Sequence, residues 1–418
     1  MRRLVAHNWG STSFRDCIAI VGLLLRPGRL SVGPAIERYE AEFARTLGVS
    51  DAVSFASGRV ALYSILQAFG IGDGDEVLIQ APTHIVVPNA IRFAGAEPVF
   101  VDCRAEDNNI DFDSARERVT ERTRAILLQH TFGIPVDMDR ARSFAQDHGL
   151  IVIEDCVHAL GAEYNDRPVG SLGDAAFFST EETKTISSTM GGVAVTNDPQ
   201  LAERIRGEQA AAAIPSRALV ARYLIKQVVY HLFTHPNLHP YTRPIYMWLR
   251  QRMADGLAPG ATSDEESNGQ RPREYVMRFS SGQAAVARRQ LERLSANVAH
   301  RRSVVESYRR RLPELGYALP EVPPGAVPSC VRFPVRVADR EAAMRVAAER
   351  VILGRWFTSV LEEASAPEVG GYTAGDCPQA ERAARELVNL PTHQRVTADD
   401  VDTILDLMAE LEPARVVD

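Results

Sequence analysis

The sequence predicts a large α/β domain built on a mostly parallel sheet covered on both faces, joined to a smaller C-terminal α+β unit. Three observations predict it. Between about residues 35 and 200, short apolar runs alternate with segments whose apolar residues recur at helical spacing. The runs read as strands buried on both sides, which is the signature of a parallel sheet with helices packed on its two faces. The chain has 418 residues, enough for one large domain and a smaller one.

In order, Ala35–Leu47 predicts a helix, Ala52–Phe55 a strand, and Ser57-Gly58 opens a helix running to Phe69. A strand at Glu76–Ile79 precedes a helix around Val86–Ala94, and a strand at Pro98–Asp102 precedes a helix at Asp113–Val119. Ala125–Leu128 is a strand, Asp137–His148 a helix, and the strand Ile151–Ile153 runs into the carboxylates Glu154 and Asp155. Phe177-Phe178 and Val193–Thr196 flank the next loop as strands. Ligands of such a sheet gather at the C-terminal ends of its strands.

From about Ala210 to Pro272 the character changes. Leu219–Phe233 predicts a helix with apolar and aromatic faces, interrupted by Pro236, Pro240 and Pro244 and resumed at Tyr246–Leu249. Gly256–Arg271 is polar and predicts a mobile loop. Ser280 to about Leu312 predicts one long helix, followed by strands near Cys330–Val335 and a helix at Glu341–Arg350. The resulting division is 1–209 for the N-terminal segment and large domain, 210–272 for a helical and loop insertion, and 273–418 for the connecting helix and small domain.

Hydrophobic content of 45% and charged content of 24% are those of an ordered globular chain. The net charge of −7, without a basic block, argues against nucleic acid as a partner. Five scattered cysteines form no Cys-x-x-Cys pair and there is no His-rich cluster, so neither a metal site nor a disulfide framework is expected. Reduced thiols and the lack of a signal-peptide core in Met1–Trp9 point to the cytoplasm. Ile18–Leu25 is apolar over only about half the length of a membrane span.

The chemistry centres on Lys184, in the loop between Phe177-Phe178 and Gly191-Gly192, and on Asp155 at a strand end. A loop lysine facing a buried carboxylate is the pair a pyridoxal phosphate enzyme needs: the amine condenses with the aldehyde, and the acid keeps the pyridine nitrogen protonated. Each residue alone also has an ordinary reading. Asp155 can end a strand at solvent, Ser57 can simply cap a helix, and most lysines are solvated. Ser57-Gly58-Arg59 opens a helix directly after a strand, where free amides suit a phosphate. Ser179 can join the same phosphate or cap a turn. His84 can stack on a flat ring or lie on the surface. His158, three residues from Asp155, points the same way if that segment is helical, and can contact the ring or be a plain buried histidine.

Order and spacing of these residues resemble the DegT-type sugar aminotransferases, pyridoxal phosphate enzymes of the aspartate-aminotransferase fold type I. The matching segments include Ser57–Leu62, Gly95–Asp102, Glu154–Ala162, Gly173–Ser179 through Lys184 to Asp198, Arg278–Ala285 and Leu390–His393. The resemblance runs from roughly Leu30 to Leu411 apart from the insertion. It implies a seven-stranded large domain and a homodimer with shared sites. It also implies Lys184 as the covalent and proton-shuttling amine, Asp155 on the ring nitrogen, and Ser57, Gly58, Arg59 and Ser179 on the phosphate. His84 then falls at the ring-stacking position and His158 beside the ring oxygen. The implied reaction moves an amino group from an amino acid, glutamate being the expected donor, to a keto-sugar, nucleotide-linked, or to a cyclitol ketone, in antibiotic or surface-glycan synthesis.

Three departures stand out: Arg59 where the family has threonine, Val276 where it has asparagine, and the long aromatic insertion. Dehydratase relatives replace the lysine by histidine, so Lys184 argues against dehydration. A non-catalytic cofactor- or sugar-binding regulator on the same fold is the competing class. In the insertion, Arg217, Arg222, Lys226, Arg243, Arg250 and Arg252 interleave with Tyr223, Tyr230, Phe233, Tyr241, Tyr246 and Trp248. A solvated face over a small local core is the favoured reading, then a lid or dimer arm, with a shallow membrane-surface contact the least favoured.

Overall fold

The computed structural model describes residues 3–7, 10–252 and 262–414, and for 246–252 the backbone only. Seven strands form the central sheet: β1 Asp51–Phe55, β2 Glu76–Gln80, β3 Glu97–Val101, β4 Thr123–Gln129, β5 Ile151–Asp155, β6 Ala175–Ser179 and β7 Gly192–Thr196. Their order is β1-β7-β6-β5-β4-β2-β3. All neighbours are parallel except β7, which is antiparallel to both β6 and β1. Because only β7 is reversed, the C-terminal ends of the other six strands open on one edge.

The two faces follow from the two-residue period of a strand. Ala125, Leu127, Ile153 and Phe177 join one core with α3 (Gly58–Phe69) and α4 (Val86–Ala94). Ile126, Leu128, Val152 and Phe178 join the other core with α2 (Ala35–Leu47), α6 (Met138–His148) and α11 (Ser281–Leu291). Helix starts obey local chemistry. Ser57 caps α3 by accepting from the Val60 amide, and Asp137 caps α6 by accepting from the Arg140 amide, each contact being worth about 1 kcal/mol.

One structural charge sits in the sheet. Glu154 is fully buried and accepts from the amides of Gly170, Leu172 and Gly173 and from the His130 ring. It ties the Gly170–Gly173 turn to β5, and its neighbour Asp155 therefore faces the opposite side of the strand.

Several elements differ from the expectations. Phe14–Leu24 forms a helix, α1, closed by a capping box between Ser13 and Asp16. The long helix breaks into α11 and α12 (Leu294–Arg311) at Arg293, whose ψ of 9° is not helical. The break lets the Arg293 guanidinium reach the buried Asp16 at 2.6 Å. After α5 (Phe112–Arg118) and α7 (Pro199–Ala211) comes α8 (Arg217–Phe233). The next helix, α9 (His239–Arg252), runs through Pro240 and Pro244 instead of stopping at them. Pro240 lies in the first turn, where a missing N–H has no intrahelical partner, so only Pro244 removes a bond.

The expected mobile loop at 256–271 lies outside the described residues up to 261. From Thr262 on it is ordered: Ser263 and Glu266 form a capping box for α10 (Asp264–Ser267), and the Asn89 side chain donates to the Glu266 carbonyl at 2.8 Å.

The C-terminal region pairs β8 (Phe333–Arg336) antiparallel with β9 (Leu387–Leu390). Around them pack α12 and α13 (Arg340–Ala347), α14 (Pro378–Glu386) and α15 (Ala398–Glu410). Tyr308, Phe333, Val335, Val388, Ile404 and Met408 form its core. Among the described residues no helix is long and apolar enough to cross a membrane.

Glu154 is buried, which raises a carboxyl pKa, yet the His130 contact and the glycine amides hold it below its ordinary value. A depressed carboxyl contributes stability above its unfolded pKa and loses it as pH falls through the folded value. Glu154→Ala is expected to cost about 3 kcal/mol in urea unfolding at pH 7, because the buried Gly170 amide, two part-buried amides and the buried His130 ring lose their acceptor.

Candidate active site

The open edge of the sheet gathers the residues singled out from sequence. Asp155 ends β5, Ser179 ends β6, and Ser57 with Gly58 follows β1. Gly192 starts β7 against Ser57 so closely that a Cβ there would lie 2.3 Å from the Ser57 carbonyl, and only glycine permits this approach. A Cβ on Gly58 would stand 3.3 Å from that of Ser179. Ser57, Gly58 and Ser179 thus form one small-residue cradle at the N-terminus of α3, where the first amides of the helix lack intrahelical partners.

Arg59 adds its cation to this rim, and the structure neutralises it: its guanidinium pairs with the buried Glu266 at 2.9 Å. Tyr275 donates to the Arg59 carbonyl at 3.4 Å. Val276, the other departure, contributes its carbonyl to the Ala213 amide and packs its side chain on the α3 core.

Lys184 and Asp155 are both buried, at 7% and 2% exposure. Burial lowers the Lys184 amine to about 8; nearby Glu181 opposes the shift, Arg332 adds to it, and Asp155 opposes it. Burial raises the Asp155 carboxyl to about 6, with the Val157 amide and the Lys184 charge pulling the other way. Both shifts mark charges that lack solvent and wait for a compensating group.

His158 is buried with neither ring nitrogen hydrogen-bonded. Its segment is a turn and not a helix, yet the side chain still reaches the site. It stacks on Phe132 at 6.3 Å and meets Trp356 edge-on at 4.6 Å. Burial, then the Lys184 and Arg332 charges, hold its pKa well below the ordinary histidine value, so it is neutral. His84 lies 5.9 Å from the Trp356 ring and is tethered by Glu363 at 3.4 Å. Glu363 in turn accepts from the Thr262 amide and hydroxyl. Burial works against its charge, but the His84 and Thr262 contacts bring it down to about 2.

Sequence reasoning missed four of these groups. The Trp356 ring sits under Lys184 Nζ at 5.0 Å and under Arg332 at 4.6 Å. Arg332 is 5% exposed and its buried Nη1 has no hydrogen-bond partner. Its one sequence signal was an arginine inside the strand-like run Cys330–Val335. Glu266 and Glu363 gave no local signal. His130, Glu154 and Cys156 lie near one another, but Glu154 is committed to the Gly170–Gly173 turn.

The residues fit pyridoxal phosphate. Two orphaned His158 nitrogens, one orphaned Arg332 nitrogen, a lysine whose charge burial disfavours and an ill-solvated acid converge beside a cradle for an anionic group. Ser57, Gly58 and Ser179 would hold the phosphate, Asp155 the ring nitrogen, His84 and His158 the ring's surroundings, and Lys184 the aldehyde.

The chain contains only two lysines, Lys184 and Lys226. Amine acylation of the cofactor-free protein, read by peptide mass, is expected to rise at Lys184 with a midpoint near pH 8. A midpoint above about 10, the range of a solvated lysine, would contradict the buried geometry.

Comparison with known proteins follows the same line. A sequence model of the DegT/DnrJ/EryC1/StrS aminotransferase family matches residues 15–221 and 253–409. The dTDP-3-amino-3,4,6-trideoxy-alpha-D-glucose transaminase of Micromonospora megalomicea is 30% identical over 403 residues, covering 95% of this chain and 94% of its own. The spore coat polysaccharide biosynthesis protein SpsC of Bacillus subtilis is 42% identical over 182 residues, 44% of this chain and about half (47%) of the length of that relative. The crystal structure of S. venezuelae DesV in complex with a ketimine intermediate superposes with a TM-score of 0.73 at 28% identity, over 95% of this chain and 94% of that one. With a profile match over most of its length and these residues at the sheet edge, the chain belongs to the DegT/DnrJ/EryC1/StrS aminotransferase family.

Proposed function

We propose that the protein is a pyridoxal phosphate-dependent sugar aminotransferase, taking nitrogen from an amino acid such as glutamate and placing it on a keto-sugar carried by a nucleotide, or on a related cyclitol ketone. The observation that carries this is the buried Lys184 amine, lowered to about 8, opposite the buried Asp155. When bound, the cofactor supplies an aldehyde that takes up the donor nitrogen and a ring that withdraws electrons from the adjacent carbon.

The chain's own residues do the remainder. Lys184 Nζ, neutral in an appreciable fraction near pH 8, removes a proton from the substrate carbon and returns one to it, which requires a base whose pKa lies near the working pH. Asp155 stays ionised against a ring cation, since a neighbouring positive charge offsets the burial that raises it. Arg332 presents an unpaired donor beside Lys184 and suits the carboxylate of the amino donor. Trp356 beneath Arg332 and Lys184 shields this side of the site from water.

A homodimer whose partner completes each site, and the division into 1–209, 210–272 and 273–418, are parts of the same reading. Sedimentation equilibrium tests the dimer: a monomer at micromolar concentration would reject it. Limited proteolysis tests the division, with first cuts expected inside 210–272.

Lys184→Ala is expected to lower turnover of glutamate with a panel of nucleotide keto-sugars and cyclitol ketones by at least about 10³-fold, measured by product mass. Retained turnover would reject the mechanism. Arg332→Ala is expected to raise KM for the amino donor by about tenfold or more while KM for the sugar changes little. Equal effects on both substrates would remove Arg332 from the donor site.

A further inference from the structure

Two helices outside the candidate site carry apolar residues on both of their faces. Helix α8 buries Val220, Leu224, Gln227 and His231 toward the protein. Its exposed positions Ala218, Arg222, Ile225, Val229 and Leu232 form a second stripe at alternating spacings of four and three. Helix α1 repeats the pattern, with Cys17 and Ile20 inside and Phe14, Ile18, Val21 and Leu25 exposed by 69%, 59%, 53% and 79%. The two helices pack on each other through Ile20, Leu23, Leu24, Val220 and Leu224. Just before α9 and in its first half, on a helix that packs against α8, Leu238, Tyr241 and Ile245 are exposed as well. A helix that is apolar all round is normally buried, and a soluble monomer rarely leaves so much contiguous apolar surface uncovered.

The charge on this surface has one sign. No aspartate or glutamate occurs from Gln209 to Ala254, although the chain has 54 acidic residues in 418. In α1 the single acid, Asp16, is fully buried and paired with Arg293. The exposed charges on and beside the stripes are Arg15, Arg26, Arg29, Arg217 and Arg222, none of them paired with an acid among the described residues. A symmetric contact of this face with the same face of a second copy would bring only cations together across it, which is repulsive. The stripes are too short to span a bilayer.

We infer that the outer face of α1 and α8, together with the start of α9, is a docking surface for an anionic membrane, its apolar side chains entering the headgroup boundary and its arginines meeting lipid phosphates. Apolar stripes flanked only by cations are the composition of an interfacial helix. The same helix α8 places Lys226 3.8 Å from Glu182, two residues from Lys184, so the docked face and the catalytic loop share one element.

The test uses the full chain loaded with pyridoxal phosphate and sedimented with vesicles of phosphatidylcholine, with or without phosphatidylglycerol. Binding is expected on the anionic vesicles and several-fold weaker on the neutral ones, and it should weaken as salt rises. Ile225→Ser/Val229→Ser/Leu232→Ser should bind about tenfold more weakly, and Arg15→Gln about fivefold. These side chains are exposed, so the melting temperature and the cofactor spectrum should stay unchanged, which separates this result from any failure of the aminotransferase reading. Absence of wild-type binding to anionic vesicles, or undiminished binding by the stripe variant, would overturn the proposal. So would dissociation of an oligomer by the stripe variant, which would assign the face to a second copy.

Discussion

Holding one amine and one carboxylate out of water in the same pocket is the constraint on which the rest of this structure depends. Each ion would be costly there alone, and their shifts, Lys184 down to about 8 and Asp155 up to about 6, measure that cost. The fold meets it by rigid placement. Asp155 is fixed at the end of a central strand because its neighbour Glu154 anchors β5 from the other side through three amides and His130. A carboxylate that faces Lys184 and one that ties down a turn therefore occupy successive positions of one strand, separated by the two-residue period.

Placement of Lys184 depends on residues far away in the chain. Its loop is held from α11 and α12, where Gln290 bonds both the amide and the carbonyl of Ser187, and Asn297 meets the Thr185 carbonyl at 2.5 Å. It is also held from α8, where Gln227 donates to the Ser187 carbonyl and Thr189 donates to the Tyr223 carbonyl. Burial pushes the Glu182 carboxyl up and the Lys226 amine down, so this pair holds α8 to the loop with little net charge. Helix α8 is thus part of the support of this loop, and the segment from Thr262 on supplies Glu266 to Arg59 and Thr262 to Glu363. Arg59 reaches the cradle with its charge already met by Glu266, so it leaves no bare cation there.

Much of this was legible along the chain. The alternation of strands and helices from Ala35 to Thr196 appears in the structure with boundaries shifted by one or two residues, because periodicity and capping are local. The break at Arg293 was not legible: Ser280–Leu312 has helical composition throughout, and the partner that Arg293 meets at the break, Asp16, is far away in the chain. Pro240 and Pro244 suggested an end to a helix that the chain continues. The polar segment after Gly256 suggested mobility, whereas residues from Thr262 on are tied down by Glu363 and Asn89.

The sequence by itself determined which strand ends would share an edge, and it placed Ser57, Gly58, Arg59, His84, Asp155, His158, Ser179 and Lys184 at or near that edge. Those properties depend on neighbours a few residues apart. Only the tertiary structure decided that Arg332 and Trp356 close on Lys184, that Glu363 and Glu266 hold His84 and Arg59, and that two helices keep apolar stripes outside. Contacts between segments far apart in the chain are set by packing and charge in three dimensions, and they leave no periodic trace in the sequence.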